Sequence, residues 1–583
     1  MKNILNKLRG MFGGVQPSNR PVPTDKLSHW PQQKPTATAE AAVAEEGAEE
    51  EEPEVTTPGD LMPYPRRVLC DGTDPEQCKL DMDAGLMFLS RYKQDWLTAR
   101  DAFEGVLGLG ATGSGKTSAC GRLIKHAYLR AGWSGLVLCA KDDEAASWVE
   151  TARECGRSKD LIIFNKESEF NFLDYELAYQ TARGAIHIPD LVSSLMVLVE
   201  VQQRKNGNGK GDEYFANAAK QLLGYAMTIL VIGVKKIDMM DIRMLILGAA
   251  KKVEDVSSPA WQAKSACWKF LSLADKNCPD ERRVDLELAT KFFLMEWPEL
   301  NDRTRSSIES TLSTTLSDMY QSPVRKMFTG GTTISPDSII KDGKIIVIDL
   351  SYKGYGTLGQ YANVLWKLAV QRACERNLSR KYPTFIFVDE CQYFTTQYDQ
   401  LFQTTARSSR CATVFLTQSI PNLNAELGGD AAGKARVESL LGNLQTRFFH
   451  LNSESETNKW ASETIGKDLI RMYSGNSSKS MSTQMMSPLK GMSGSLNTSE
   501  GYSEQFNYTL QPVEFSKLLP GGPKNNLVVT WIVHRVGRTW STGERHLKCC
   551  FPQKDRSSPT MTPWLACARD SSQLRKMISK GFN

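Results

Sequence analysis

Residues 105–130 read GVLGLGATGSGKTSACGRLIKHAYLR, and this stretch decides the fold. Val106, Leu107 and Leu109 make a short apolar run of the kind that forms a buried parallel strand. The run ends in Gly110-Ala111-Thr112-Gly113-Ser114-Gly115-Lys116-Thr117, which fits the pattern G-x-x-x-x-G-K-[ST]. A helix-length amphipathic stretch, Lys116–Ala131, follows. Strand, glycine-rich loop and helix in this order make a cradle for a nucleotide. The backbone N–H groups from Gly110 to Ser118 curl round the phosphates, and the helix N-terminus adds positive potential. Lys116 is expected to reach the β- and γ-phosphates of ATP, and Thr117 to ligate Mg²⁺.

The same short apolar texture recurs at Leu136–Cys139, Leu161–Phe164, Ile345–Ile348, Phe385–Val388, Thr413–Leu416, Arg447–Leu451 and Asn526–Trp531. Helical patterns such as Gln360–Asn377 lie between these runs. The alternation predicts an α/β sheet of buried parallel strands with helices on both faces. In Pro383-Thr384-Phe385-Ile386-Phe387-Val388-Asp389-Glu390, four apolar residues deliver Asp389 to the carboxyl end of a strand, where it can hold Mg²⁺. Glu390 then stands where a general base polarises the attacking water. A phosphate loop paired with this acidic strand points to hydrolysis beyond binding. Gln418, closing the strand Thr413–Leu416, suits a sensor of the γ-phosphate. Arg407 and Arg410 precede that strand, where one of them can reach a neighbour's nucleotide as an arginine finger.

The rest of the 583 residues frames this centre. With 41% hydrophobic and 23% charged residues the composition is that of a globular chain, expected to work in the cytosol. Residues 1–60 hold six Lys or Arg against ten acids and almost no large apolar side chains beyond residue 12, which predicts a disordered acidic tail rich in Pro and Ala. Ahead of it Leu5, Leu8, Met11 and Phe12 recur at helical spacing, a candidate surface for a partner or membrane. Residues 61–204 and 331–552 are read as two parts of one ATPase domain, and 553–583 as a tail. Residues 205–330 carry helical patterns with few strand signals, so an all-helical insertion is expected there. Tyr473–Glu504, dominated by Ser, Met, Gly, Thr and Asn, reads as a flexible loop. The 13 cysteines contain no CxxC pair, which argues against a zinc cluster. Leu222–Val234 is short of the ~20 apolar residues a bilayer-spanning helix needs, so no transmembrane segment is expected.

Taken in order, GATGSGKTS, FIFVDECQYF, ARSSRCATVFLTQSIPNL, TRFFHLNSESETNKWASETIG and LQPVEFSKLLPGGPKNNLVVTWIVHR resemble the coupling-protein ATPases of conjugative type IV secretion, within the wider FtsK and HerA class of ring motors. The resemblance runs from about Trp96 to Phe551. It implies a RecA-like P-loop domain and a hexamer that hydrolyses ATP at subunit interfaces. It further implies delivery of DNA, or a DNA–relaxase substrate, to a secretion channel. Lys116 and Thr117 match the family's phosphate-loop pair, Asp389 and Glu390 its second acidic motif, Arg407 its trans-acting arginine and Gln418 its sensing glutamine. Lys434 falls near a further family lysine, with an intervening loop of different length. Family members commonly carry N-terminal transmembrane helices where this chain has an acidic tail, so attachment at the inner face of the membrane is expected through partners.

DNA contact would be phosphate-directed and sequence-independent, with Arg204–Gly211 as the candidate loop. Two other readings fit the same residues. One is a related translocase for DNA processing, defence or packaging; the other is a nucleotide-dependent adaptor that recruits substrates with little turnover.

Overall fold

The computed structural model describes residues 68–69, 79–90, 93–205, 212–322, 324–376, 380–427, 429–480, 495–553 and 565–566. The acidic tail, the amphipathic stretch at its head and most of the basic loop 204–211 lie outside them. Contacts divide the described chain into two compact units: Gln221–Ser306 forms one, and the remainder forms the other.

In chain order the strands are β1 Gly85–Phe88, β2 Trp96–Thr98, β3 Val106–Leu109, β4 Ser134–Leu138, β5 Leu161–Phe164, β6 Ile345–Ile348, β7 Thr384–Val388, β8 Cys411–Thr417, β9 Thr446–Phe449, β10 Lys467–Ser480, β11 Ser495–Tyr508, β12 Val528–Arg535, β13 His546–Pro552 and β14 Leu565–Ala566. Ten of them build one sheet in the order β14-β13-β12-β9-β3-β8-β7-β4-β6-β5. From β9 to β5 every pairing is parallel, and β12 to β14 join antiparallel. All eight apolar runs read from sequence are strands. The run beginning at Asn526 is the exception in direction: it is expected to be parallel, but β12 runs antiparallel to β9 on one side and to β13 on the other, so the sheet changes from parallel to antiparallel at β9.

Both faces of the parallel part are covered, which is why its strands are apolar throughout instead of alternating. On one face Phe385 and Phe387 meet Trp148 of the helix Glu144–Glu154, with ring centroids 5.7 and 5.1 Å apart. On the other, Phe164 meets Trp366 of the helix Tyr352–Arg376 at 5.0 Å. Buried aromatic pairs of this sort add about 0.5–1.5 kcal/mol beyond the area they hide.

In the Gln221–Ser306 unit, the helices Met239–Leu247, Val253–Ser257, Pro259–Lys264, Ala266–Asn277 and Arg283–Lys291 pack round Leu222, Leu230, Leu271 and Phe293. The single helical pattern Ser258–Ala274 breaks at Ser265, whose ψ of 121° is extended. Its hydroxyl accepts from Trp268 N at 3.0 Å and donates to Gly248 O at 2.6 Å, so a capped start replaces one continuous helix. The helix Asp212–Gly233 also departs from expectation. Its 20 residues Tyr214–Gly233 are long and apolar enough to cross a membrane, although more than half of the stretch is buried as in a core helix.

The segment 473–504 is likewise not a loop throughout. β10 and β11 pair in unbroken antiparallel register from Lys467↔Tyr508 to Ser480↔Ser495, and the part of the expected loop between them, 481–494, lies outside the described residues. A two-stranded ribbon satisfies its backbone by its own ladder and so forms without the apolar residues on which a burial-based reading depends.

Candidate functional site

Four parallel strands end side by side at the carboxyl edge of the sheet, and each hands over one part of the site. β3 leads into the phosphate loop. Gly113 and Gly115 adopt φ of +75° and +86°, conformations that L side chains rarely take, and these two turns curl the loop. A Cβ on Gly115 would also lie 2.7 Å from Val529 of β12. After the loop the chain enters its helix through a wide first turn, in which Gly121 N donates to Lys116 O at 2.9 Å. Such π turns are rare and often mark functional sites.

β7 ends in Asp389 and Glu390. Asp389 is buried and its Oδ2 accepts from Thr117 Oγ1 at 2.8 Å, joining two motifs 272 residues apart. Glu390 sits in left-handed backbone at φ +48° and ψ +50°, which costs a non-glycine residue about 1–2 kcal/mol. That turn aims its buried carboxylate back over the sheet edge. Gln392 Nε2 donates to it at 3.0 Å and Gln418 Nε2 at 3.2 Å. β8 runs between β3 and β7 and therefore delivers Gln418 between the phosphate loop and the acidic pair. Asn452 holds Gln418 in turn, its Nδ2 donating to the Gln418 carbonyl at 3.0 Å.

The fourth part comes from β4, the other neighbour of β7. Three residues past its end, Lys141 places its ammonium 3.1 Å from Glu390 Oε1 and 3.9 Å from Asp389 Oδ2. Burial works against this charge, but the two carboxylates prevail and hold the Lys141 ammonium above its ordinary value. Lys116 shows the reverse balance. It is buried beneath the loop with its Nζ donating to the carbonyls of Gly110 and Ala111, and desolvation lowers its pKa despite Asp389 and Glu390. For Glu390, burial alone would favour the neutral acid. The Gln392 hydrogen bond and the Lys141 charge outweigh it and lower the pKa, keeping the group an acceptor.

Several of these groups line a cleft of about 420 Å³, bounded by Ala111–Ser118, Lys141, Glu390, Pro520, Gly521, Gly522 and Gln553. Its size suits a ligand of nucleotide dimensions. Ser114 Oγ is buried here without a hydrogen-bond partner among the described residues, an acceptor and donor left for a ligand. The neighbouring oxygens of Thr117 and Asp389 form a hard donor pair of the type Mg²⁺ prefers. Gln553 ties the far wall together, donating to Ser118 Oγ at 2.6 Å and accepting from Gly522 N at 2.7 Å.

Arg407 stands elsewhere. It precedes β8, so a seven-residue strand, roughly 20 Å at about 3.3 Å per residue, separates it from Gln418. It belongs to the amino edge, half exposed, 3.1 Å from Glu104 Oε1. The structure thus brings Lys116, Thr117, Asp389, Glu390 and Gln418 together and leaves Arg407 apart. Lys434 is exposed on the helix Ala431–Asn443. Lys141, Gln392 and Gln553 were not found from sequence. The available signal for Lys141 was its place just beyond an apolar strand run, since ligands of parallel sheets bind beyond carboxyl strand ends.

Residues 383–517 match the family model described as the TraM recognition site of TraD and TraG. The fold is similar to that of the bacterial conjugative coupling protein TrwBdeltaN70 in its unbound form, with a TM-score of 0.51 and 14% identity over 85% of this chain and 97% of that one. The family match covers those residues, and the likeness of fold covers most of the chain. The fold also superposes on that of the plasmid coupling protein TrwB in complex with a non-hydrolysable GTP analogue, at a TM-score of 0.51 and 13% identity over 86% and 98% of the two chains. For TrwB in complex with ADP and Mg²⁺ the TM-score is 0.50 at 14% identity over 80% and 89%. These are likenesses of fold. No curated protein matches the sequence.

Proposed function

We propose that this chain is a type IV coupling protein, a Mg²⁺-dependent ATPase whose turnover drives DNA, or a DNA–relaxase substrate, toward a type IV secretion channel. The observation that carries the reading is that the Lys116 loop, Thr117 and Glu390 line one cleft, with Asp389 bonded to Thr117 and Gln418 to Glu390, at residues separated by up to 308 positions in the chain. That TrwB, similar in fold, has been solved with ADP and Mg²⁺ and with a non-hydrolysable GTP analogue supports a nucleotide as the ligand.

Lys116 and the loop amides would bind the phosphates of ATP, and Thr117 and Asp389 would hold Mg²⁺, which would supply positive charge against the phosphates. Glu390 accepts the proton of the attacking water, and Gln418 keeps both the carboxylate and the water in line. ADP and phosphate are the products. Arg407 is too far from its own cleft to take part and acts on a neighbour's nucleotide, so the working form is a ring, a hexamer by the family resemblance. DNA contact is electrostatic and sequence-independent. The division into ATPase parts 61–204 and 331–552 around an insertion at 205–330 belongs to the same proposal. So does a cytoplasmic location, with membrane attachment through secretion components, and a TraM-like partner for residues 383–517.

The test is steady-state ATPase activity against protein concentration, with and without single- and double-stranded DNA, at two salt concentrations. Turnover that rises cooperatively with protein, is stimulated by DNA and falls with salt is expected. Lys116→Ala and Arg407→Ala, each inactive alone, should regain activity when mixed, because some interfaces then combine an intact loop with an intact finger. Turnover that is absent or indifferent to DNA at ring-forming concentrations would favour the adaptor reading.

A further inference from the structure

The ion pair between Lys141 and Glu390 has no evident structural task. β4 and β7 are already joined along their full length, from Ser134↔Thr384 to Leu138↔Val388, so the strands need no further tie at their ends. The two partners are also unequal. The Glu390 side chain is 8% exposed and that of Lys141 34%, and Lys141 lines the same cleft as residues 111–118. A carboxylate fixed by two glutamine amides is therefore met by a cation that can swing away at little cost in desolvation.

With no ligand, two cations, Lys116 and Lys141, face two anions, Asp389 and Glu390. A nucleoside triphosphate brings roughly four further negative charges, of which one Mg²⁺ cancels two. The diphosphate brings about one fewer. Lys116 is committed to the phosphates by its place beneath the loop, which leaves Lys141 as the cation free to answer the terminal phosphate.

We propose that Lys141 reads the terminal phosphate of a bound nucleoside triphosphate. It exchanges its contact with Glu390 for one with the γ-phosphoryl oxygens, and so frees Glu390 for the attacking water only when hydrolysable nucleotide is present. No bond is made or broken in this exchange. The proposal rests on the nucleotide site described above and deepens it, since it makes Lys141 the group that distinguishes triphosphate from diphosphate.

The experiment measures equilibrium binding of ADP and of the β,γ-imido analogue of ATP, both with Mg²⁺, to the full-length protein. Lys141→Met should weaken the analogue about tenfold or more, the range for one charge-assisted hydrogen bond, and change ADP by less than about twofold. Lys141→Arg, which keeps the charge, should restore most of the preference. In the Lys141→Met protein KM for ATP should rise more than kcat falls. Because Glu390 competes for Lys141, Glu390→Gln should raise the preference for the analogue over ADP, and that gain should shrink in the double variant.

An unchanged analogue-to-ADP ratio in Lys141→Met with a lowered kcat would overturn the proposal and leave Lys141 as a support for Glu390. Equal loss of both ligands would overturn it too, as would strictly additive effects in the double variant. If the wild-type protein bound neither ligand, the nucleotide-site reading itself would have failed.

Discussion

The two edges of the main sheet both gather charge, and they use it in opposite ways. At the amino edge Asp101 is buried and accepts from Arg535 Nε and Arg538 Nη1 at 2.8 Å each, while Glu104 takes Arg535 and, at 3.1 Å, Arg407. Both carboxylates are committed. At the carboxyl edge Lys141 shares itself between two acids, Lys116 folds back on backbone carbonyls, and Ser114 Oγ has no hydrogen-bond partner among the described residues. A buried network with its valences filled fixes a structure, whereas one left short of partners is poised for a ligand. The comparison separates what holds the sheet together from what the sheet is for.

The largest effects should fall on the carboxyl edge and spare the fold. Lys116→Ala should abolish nucleotide turnover, and Glu390→Gln should lower it about 10²- to 10⁴-fold, the usual worth of a general base, while nucleotide still binds. Thermal melting of both variants should stay close to that of the wild type. If Glu390→Gln turned ATP over at the wild-type rate, the base would have to be sought elsewhere in the cleft.

The amino edge should respond the other way round. Asp101→Asn keeps the shape of the side chain and its capping contact with Thr98 N, yet it takes the opposing charge from Arg538 and leaves Arg535 with Glu104 alone. Removing one member of a buried ion network costs about 3 kcal/mol or more, so the urea midpoint should drop clearly with nucleotide affinity unchanged. A loss of nucleotide binding with intact stability would erase the distinction between the edges.

That distinction also marks where the sequence was legible. The phosphate loop, Asp389-Glu390 and Gln418 are each announced by an apolar strand running into a polar residue, a local pattern that survives without knowledge of strand order. Lys141 closes such a strand as well, but its meaning depends on β4 lying beside β7, which only the sheet order 8-7-4 reveals. Gln553 reaches the cleft because β13 returns antiparallel beside β12, a direction the run Asn526–Trp531 did not disclose. Asp101 and Arg535 meet across 434 residues, with nothing near either to mark the other. The ribbon β10–β11 was missed because its Ser- and Gly-rich strands carry few apolar residues to announce them.

Arg407 is where the proposed function would join the two edges, and it should give the smallest effect on stability. Its side chain is 54% exposed and its carboxylate partner among the described residues, Glu104, keeps Arg535 when Arg407 is lost. An ion pair this open contributes under about 1 kcal/mol, so Arg407→Ala should melt within a degree or two of the wild type. That mild outcome is informative, because an arginine that acts on a neighbour's nucleotide has to leave its own subunit's contacts cheaply. Were Arg407→Ala to destabilise the protein as much as Asp101→Asn, the arginine would belong with the filled network of its own edge, and the cleft's trans-acting cation would have to come from another surface.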